Sequence, residues 1–216
     1  MKHITPYSVF ESEEQEPIRK VFSREQLSWL DKCTTGSWKY NPSTGKVDVK
    51  GTFNCQFQDL TDFKGVEFGD VTENFTCSHN KLTSLAGSPE YVGEILWCED
   101  NRLTSLEGGP RLVGDKYSAY GNEIVSLEGL PERRVGIGYQ SVNLRHNPVS
   151  AGTFSMLINE MWKGDGMSYG DALKAKWADV PDDEKPILYT YCPDLPEDEV
   201  KKYELISKYS QIRGML

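Results

Sequence analysis

Apolar and polar positions along this chain follow three rhythms. In the middle, apolar residues pair two apart and return at a fixed distance: Phe53/Cys55, Phe75/Cys77, Leu96/Cys98 and Tyr117/Ala119. That spacing puts both side chains of a pair on one side of an extended segment. Leucines three apart follow, Leu82/Leu85 and Leu103/Leu106, and then a glycine and a proline. After Pro148 the spacing becomes helical. Phe154, Leu157, Ile158 and Met161 form one stripe. A second helix is predicted over Ser168–Val180 with Ala172, Leu173 and Trp177, and a third over Glu197–Arg213 with Val200, Tyr203, Leu205, Ile206, Tyr209 and Ile212. Before the repeats, Ser23-x-x-Gln26 is a capping-box start for a short helix carrying Leu27 and Leu30. Ser37–Tyr40 and Lys46–Val49, joined by Asn41-Pro-Ser-Thr-Gly45, read as a hairpin that would cover the edge of the first repeat strand.

The central rhythm is a sequence repeat. Cys77/Cys98, Asn80/Asn101, Leu82/Leu103, Thr83/Thr104, Ser84/Ser105, Leu85/Leu106, Gly87/Gly108, Pro89/Pro110, Val92/Val113 and Gly93/Gly114 recur at a spacing of 21. Tyr117, Ala119, Asn122, Ile124, Leu127, Gly129 and Pro131 continue it downstream, while Phe53, Cys55, Leu60, Phe63 and Gly65 precede their counterparts by 22. A worn copy runs from Val135 to Val149. A fixed period in this range means stacked coils, none of which can bury its apolar side alone. Leu96-x-Cys98-x-x-Asn101-x-Leu103-x-x-Leu106 is a leucine-rich repeat in outline, with cysteine in one leucine slot. The expected architecture is an α/β repeat: a short leucine-rich-repeat solenoid of about 21-residue coils with a parallel strand face. Residues 1–22 are read as a flexible leader, 23–50 as an N-terminal cap of helix plus hairpin, 51–149 as the repeats and 150–216 as a C-terminal helical domain.

Within a coil, Asn80, Asn101 and Asn122 stand at the bend after the strand, where a buried amide can satisfy backbone groups that the turning chain leaves unpaired. Gly87, Gly108 and Gly129 suit turn conformations closed to other residues. Strand alternation sends Asn54, Gln56, Phe57, Thr76, Ser78, His79, Trp97, Glu99, Asp100, Ser118 and Tyr120 outward. From these the candidate partner-binding residues are Phe57, Thr76, His79, Trp97, Glu99, Asp100, Ser118 and Tyr120, because exposed aromatics beside charges have the composition of binding hot spots. The competing reading leaves this face merely solvated and assigns binding to the C-terminal helices, whose bulk exceeds what one coil needs for shielding.

The chemistry on offer is otherwise thin. A net charge of −9 over 216 residues argues against direct nucleic-acid binding, which needs clustered Lys and Arg. No run of 18 apolar residues predicts a membrane span, and the N-terminus lacks the pattern of a signal peptide. Cys55, Cys77 and Cys98 fill one repeat position that Ala119 takes next, so they read as small core residues, not a metal or redox site. The odd total of five cysteines fits a reducing compartment. The three histidines, His3, His79 and His146, form no catalytic set, and Gly136-x-Gly138 lacks the rest of a dinucleotide fingerprint. Trp162, Trp177 and Tyr189 read as core, and the acidic runs Asp182–Glu184 and Glu197–Glu199 as a solvated turn and a helix N-terminus. No catalytic residue, metal or cofactor is expected.

The repeat wording Phe-x-Cys-x-x-Asn-x-Leu-Thr-Ser-Leu-x-Gly-x-Pro-x-x-Val-Gly resembles that of leucine-rich-repeat proteins encoded by large T-even-like bacteriophages. The segments Gln26–Val49 and Leu60–Gly69 are similar to the region before and at the first repeat in those proteins. The resemblance spans roughly residues 23–216 and is specific to family, while carrying no assigned role. Met1–Glu14 also resembles the short peptide that directs some such proteins into the assembling phage head; its other reading is an acidic tail. The resemblance implies a phage product at work in the host cytoplasm or in the virion. The functional expectation is a non-enzymatic module that binds and inhibits a host defence protein or toxin through the outer strand face, with acidity favouring a basic partner. The alternative is a structural, packaged virion component.

Overall fold

A computed structural model describes residues 21–132, 141–163 and 167–213, with side chains as far as Lys208. Helix α1 (Arg24–Cys33) opens on the expected capping box, in which the Ser23 hydroxyl accepts from Gln26 N–H and the Gln26 side chain accepts from Ser23 N–H. Strands β1 (Thr34–Asn41) and β2 (Lys46–Asn54) then form an antiparallel hairpin. It is longer than the alternation at its tip indicates, because β2 runs on without a break into Phe53, the first strand position of the repeats.

From β2 onward the chain is a parallel-strand β-solenoid of about four turns with a 21-residue spacing. One ladder stacks β2, β4 (Phe75–Thr76), β6 (Ile95–Trp97), β8 (Lys116–Ser118) and β9 (Ser141–Asn143) in parallel register. A second stacks β2, β3 (Phe68–Val71), β5 (Tyr91–Val92) and β7 (Leu112–Val113). Strand β2 is long enough to start both, and β1 lies along its other edge. The next two coils, β5–β6 and β7–β8, each make two short strands separated by a two-residue corner, Gly93-Glu94 and Gly114-Asp115, then a bend, then a return segment without helix.

The core is a stack of columns. Phe53, Phe75, Leu96 and Tyr117 lie over one another, as do Cys55, Cys77, Cys98 and Ala119, and all eight are fully buried. Leu82, Leu85, Leu103, Leu106, Ile124 and Leu127 fill the return side. Gly87, Gly108 and Gly129 have φ of 85°, 76° and 82°, the left-handed turn expected of them.

The bend asparagines hold coil to coil. Asn101 Oδ1 accepts from Leu82 N–H of the coil before, and its amide nitrogen donates to the carbonyls of Cys77, Cys98 and Glu99. Asn122 repeats the set one coil on, with Leu103 N–H and the carbonyls of Cys98, Ala119 and Tyr120. Asn80 accepts from both Gln58 and Leu60 N–H, and Asn147 from Ile124 N–H.

Both ends are closed by side-chain donors. Val125 O stands where the next coil would bring an amide, and the Tyr169 hydroxyl donates to it at 2.8 Å. The Trp162 indole donates to Pro131 O at 3.3 Å. These come from α2 (Ala151–Met161), which buries Phe154, Leu157 and Ile158, and α3 (Tyr169–Lys176), which buries Ala172 and Leu173. The predicted second helix is shorter than expected, passing into a 3-10 turn at Trp177–Asp179. A four-residue α4 (Lys185–Leu188) was not legible in the pattern, being too short to show a period. Helix α5 (Glu197–Arg213) has the expected bounds but buries Tyr203 while Leu205 and Ile206 face solvent. At the other end the Trp29 indole donates to Gln58, and Gln26 to Lys64 O. Among the described residues no helix is long and apolar enough to cross a membrane.

Two predictions follow from the columns. Asn101→Ala leaves Leu82 N–H without a partner and takes one of two donors from the carbonyls of Cys77, Cys98 and Glu99, so it should cost about 1–3 kcal/mol in urea unfolding, and Asn101→Asp, which turns a buried carboxylate on those carbonyls, should do no better. Arg102→Ala, exposed next door, should stay within about 0.5 kcal/mol. The second concerns alkali. Burial raises the thiols of Cys55 and Cys77, pushes Cys98 up to about 12, and raises the phenols of Tyr117 and Tyr169. Below the ordinary thiol value of 9.0 both folded and unfolded chains hold these protons and stability is unaffected. Above it the unfolded chain releases them first, so the folded state binds more protons and stability falls with pH, by up to about 1.4 kcal/mol per pH unit for each group in play. Urea midpoints that dropped no faster above that value in wild type than in Cys77→Ala would contradict this origin.

Candidate functional site

The outer face of the β4–β9 ladder carries the candidate residues, and coil stacking decides which reach solvent. Asn54, Thr76, Trp97, Ser118 and Asn143 share one outward column through the strand register. Trp97, the large member, remains half-buried, while Thr76 and Ser118 on either side of it are buried, Ser118 completely. Ser78, also expected outside, is buried and accepts from Glu99 N–H. These three depart from the expectation of exposure. A small side chain between bulkier ones in adjacent coils is covered by them, which alternation within one strand does not reveal.

Glu99 and Ser118 form a pair instead of two independent contacts, the hydroxyl donating to Glu99 Oε1. Glu99 is half-buried as a result, whereas Asp100 is exposed.

The rest of the candidate set gathers at the corner where strand turns into bend. Phe57 is 69% exposed, the most exposed large apolar residue described. Its ring stacks on the imidazole of His79, with centroids 4.3 Å apart and planes 6° from parallel. His79 Nδ1 lies 3.3 Å from Asp100 Oδ2. Tyr120, half-buried, packs on His146 at 4.6 Å. His146 was not a candidate: the worn copy hides its register, although its place before Asn147 matches that of His79 before Asn80.

The corner backbone is unusual. Phe57, His79, Asp100 and His146 all have positive φ, at 57°, 55°, 50° and 60°. Asp and His enter this region more readily than most residues, whereas for a bulky ring such as that of Phe57 it costs roughly 1–2 kcal/mol. Phe57 thus combines unfavourable backbone with maximal exposure of an apolar ring.

Other features lead elsewhere. The charges Lys46–Glu90 and Arg111–Glu132 pair across coils beside β5 and β7, around an open polar hollow of about 360 Å³. Lys46 holds the Glu90 carboxyl below its ordinary value by donating to it. The cysteine column consists of free, buried thiols with raised pKa, the state of unreactive core residues. Among the described residues no group of three or more His, Cys, Asp or Glu could hold a metal ion. His3, Gly136-x-Gly138 and the Met1–Glu14 segment lie outside the described residues, as do Val135–Gln140 of the worn copy and the side chains of Tyr209 and Ile212.

The fold and corner together define a β-solenoid with an aromatic and acidic outer edge. Comparison of the chain with protein-family models, with curated proteins and with solved structures found no match.

If Phe57 is held for its surface and not for the fold, Phe57→Gly should leave stability within about 1 kcal/mol, since relief of the left-handed backbone offsets the lost stack. A loss beyond about 2 kcal/mol by chemical unfolding would show that the ring is structural.

Proposed function

We propose that this chain is a leucine-rich-repeat protein of the T-even-like phage kind, and that it acts by binding a protein through the outer strand face and its corner. The observation carrying this reading is Phe57: an apolar ring 69% exposed, on strained backbone, stacked with His79, which in turn meets Asp100 one coil on. Exposed aromatics next to charges, on a rigid platform, are where interface free energy concentrates. The repeated asparagine ladder and the leucines of the return side support the leucine-rich-repeat assignment. Helix α1 with the β1–β2 hairpin acts as the N-terminal cap, an assignment supported by β1 lying along the outer edge of β2.

The partner we infer is a host defence enzyme or toxin whose working surface this face occludes. Support comes from the repeat resemblance and from the net charge of −9, which favours a basic, nucleic-acid-handling target. Burial of Thr76 and Ser118 narrows the contact set to Phe57, His79, Trp97, Glu99, Asp100 and Tyr120.

The test is a tagged pull-down from infected cells, wild type against Trp97→Ala/Tyr120→Ala. A host protein captured by wild type and lost by the double variant, with unchanged thermal unfolding, is the expected result. Capture of phage head proteins alone, equally by both, would overturn the proposal and point to a packaged virion component.

A further inference from the structure

The corner column also indicates what kind of group the partner brings. Five coils pass from strand to bend through one residue each: Phe57, His79, Asp100, Gly121 and His146. Their register follows from the ladder hydrogen bonds, Phe57 N–H to Ser78 O, His79 to Glu99 O, Asp100 to Tyr120 O and Gly121 to Arg145 O. All five have positive φ, and Gly121, at 65°, adopts it without strain. Neighbours in the column are about 4.8 Å apart, the spacing of paired strands.

The side chains divide the column into two walls and a step. On one side Phe57 stacks on His79; on the other Tyr120 packs on His146. Between them Gly121 contributes no side chain, and Asp100 leans over it: a Cβ added at Gly121 would stand 2.3 Å from Asp100 Oδ1. Asp100 Oδ2 faces His79, and its side chain is 43% exposed. A carboxylate has about four acceptor positions, and one histidine contact leaves most of them open. Glu99, the neighbouring acid, is engaged by the Ser118 hydroxyl.

A carboxylate flanked by aromatic faces selects a planar, delocalised cation. A guanidinium can stack on rings and present two parallel N–H donors to one carboxylate, whereas an ammonium is a point charge with neither property. A phosphate would be repelled by Asp100, and an apolar side chain would desolvate it without return. We propose that the Asp100 carboxylate lying over the Gly121 step is the seat of one arginine side chain of the partner protein, whose guanidinium pairs with it between the Phe57–His79 and Tyr120–His146 walls. This rests on the reading of the strand face as a protein-binding surface and specifies the partner's anchor.

The test uses the full chain and two probes, Nα-acetyl-arginine amide and Nα-acetyl-lysine amide, followed by amide chemical shifts. The arginine probe should move Asp100, Gly121 and Arg145 with saturable curves, weaken as salt is raised, and bind about fivefold more tightly than the lysine probe. Asp100→Asn should remove that preference while keeping the fold, because asparagine accepts left-handed backbone. Equal response to both probes, or an undiminished arginine preference in Asp100→Asn, would overturn the seat. The two levels separate cleanly. A pull-down partner lost in Trp97→Ala/Tyr120→Ala but retained by Asp100→Asn sinks the arginine seat alone, and an arginine preference that persists with no partner captured by any variant sinks the strand-face reading alone.

Discussion

Everything in this fold depends on a side-chain amide at the bend of each coil. A chain that turns sharply every coil leaves backbone amides and carbonyls facing an apolar interior, and an unpaired buried group costs about 1–3 kcal/mol. Asn101 meets that demand with one acceptor and one donor nitrogen, reaching the coil before it through Leu82 N–H and Cys77 O, and its own strand through Cys98 and Glu99 O. Asparagine is the shortest side chain able to accept and donate in opposite directions from one planar group. The leucine and cysteine columns fall into register because the amides fix the coils one above another. The hydrophobic core is the consequence of that alignment as much as its cause.

A stack built this way has a problem only at its ends. Each coil borrows donors from its neighbour, so the first and last coils must find them elsewhere. At the last return segment, that of the β8 coil, Val125 O and Pro131 O receive the Tyr169 hydroxyl and the Trp162 indole, side chains of the helical region. At the first, Gln58 stands where later coils have asparagine, and it bridges the Trp29 indole and the Cys33 thiol of α1. The flanking helices are therefore joined to the solenoid by the same kind of polar satisfaction that joins coil to coil, and the buried apolar cluster runs without a break from Phe22 to Cys192.

The columns were legible in the sequence because repetition turns a one-dimensional pattern into vertical neighbours: Asn80 over Asn101 over Asn122 needs no structure to see. What stayed hidden is instructive. The ladder of Tyr91–Val92 and Leu112–Val113 consists of two-residue strands, too short for alternation, although Val92, Val113, Gly93 and Gly114 were visible as repeat positions. The burial of Thr76 and Ser118 contradicts alternation along their own strands, yet it follows from the column in which both adjoin Trp97. Helix α5 shows the reverse error. Leu205 and Ile206 fit an apolar stripe by spacing, but among the described side chains of the helix it is Tyr203 that is buried. Of the candidate site, the aromatic and acidic members were found from composition, whereas their assembly at one corner depends on a left-handed backbone that no Phe or His announces.

That corner is where local preference and global fold disagree. Gly121 shows that the column accommodates the residue its backbone favours, and four of its five positions decline it. At Phe57 the refusal costs roughly 1–2 kcal/mol, and Asn80, which accepts from Gln58 N–H next along the chain, holds the conformation regardless. Left-handed backbone retained at consecutive coils, all on one outer edge, with a stacked Phe57–His79 pair and a tilted Tyr120–His146 pair beside it, is not what packing requires. A left-handed residue turns its side chain away from the strand plane, so the same backbone that raises the cost also lifts Phe57, His79 and Asp100 clear of the half-buried strand face. The stability surrendered there and the surface gained are one structural fact, and it is the support on which the proposed binding edge rests.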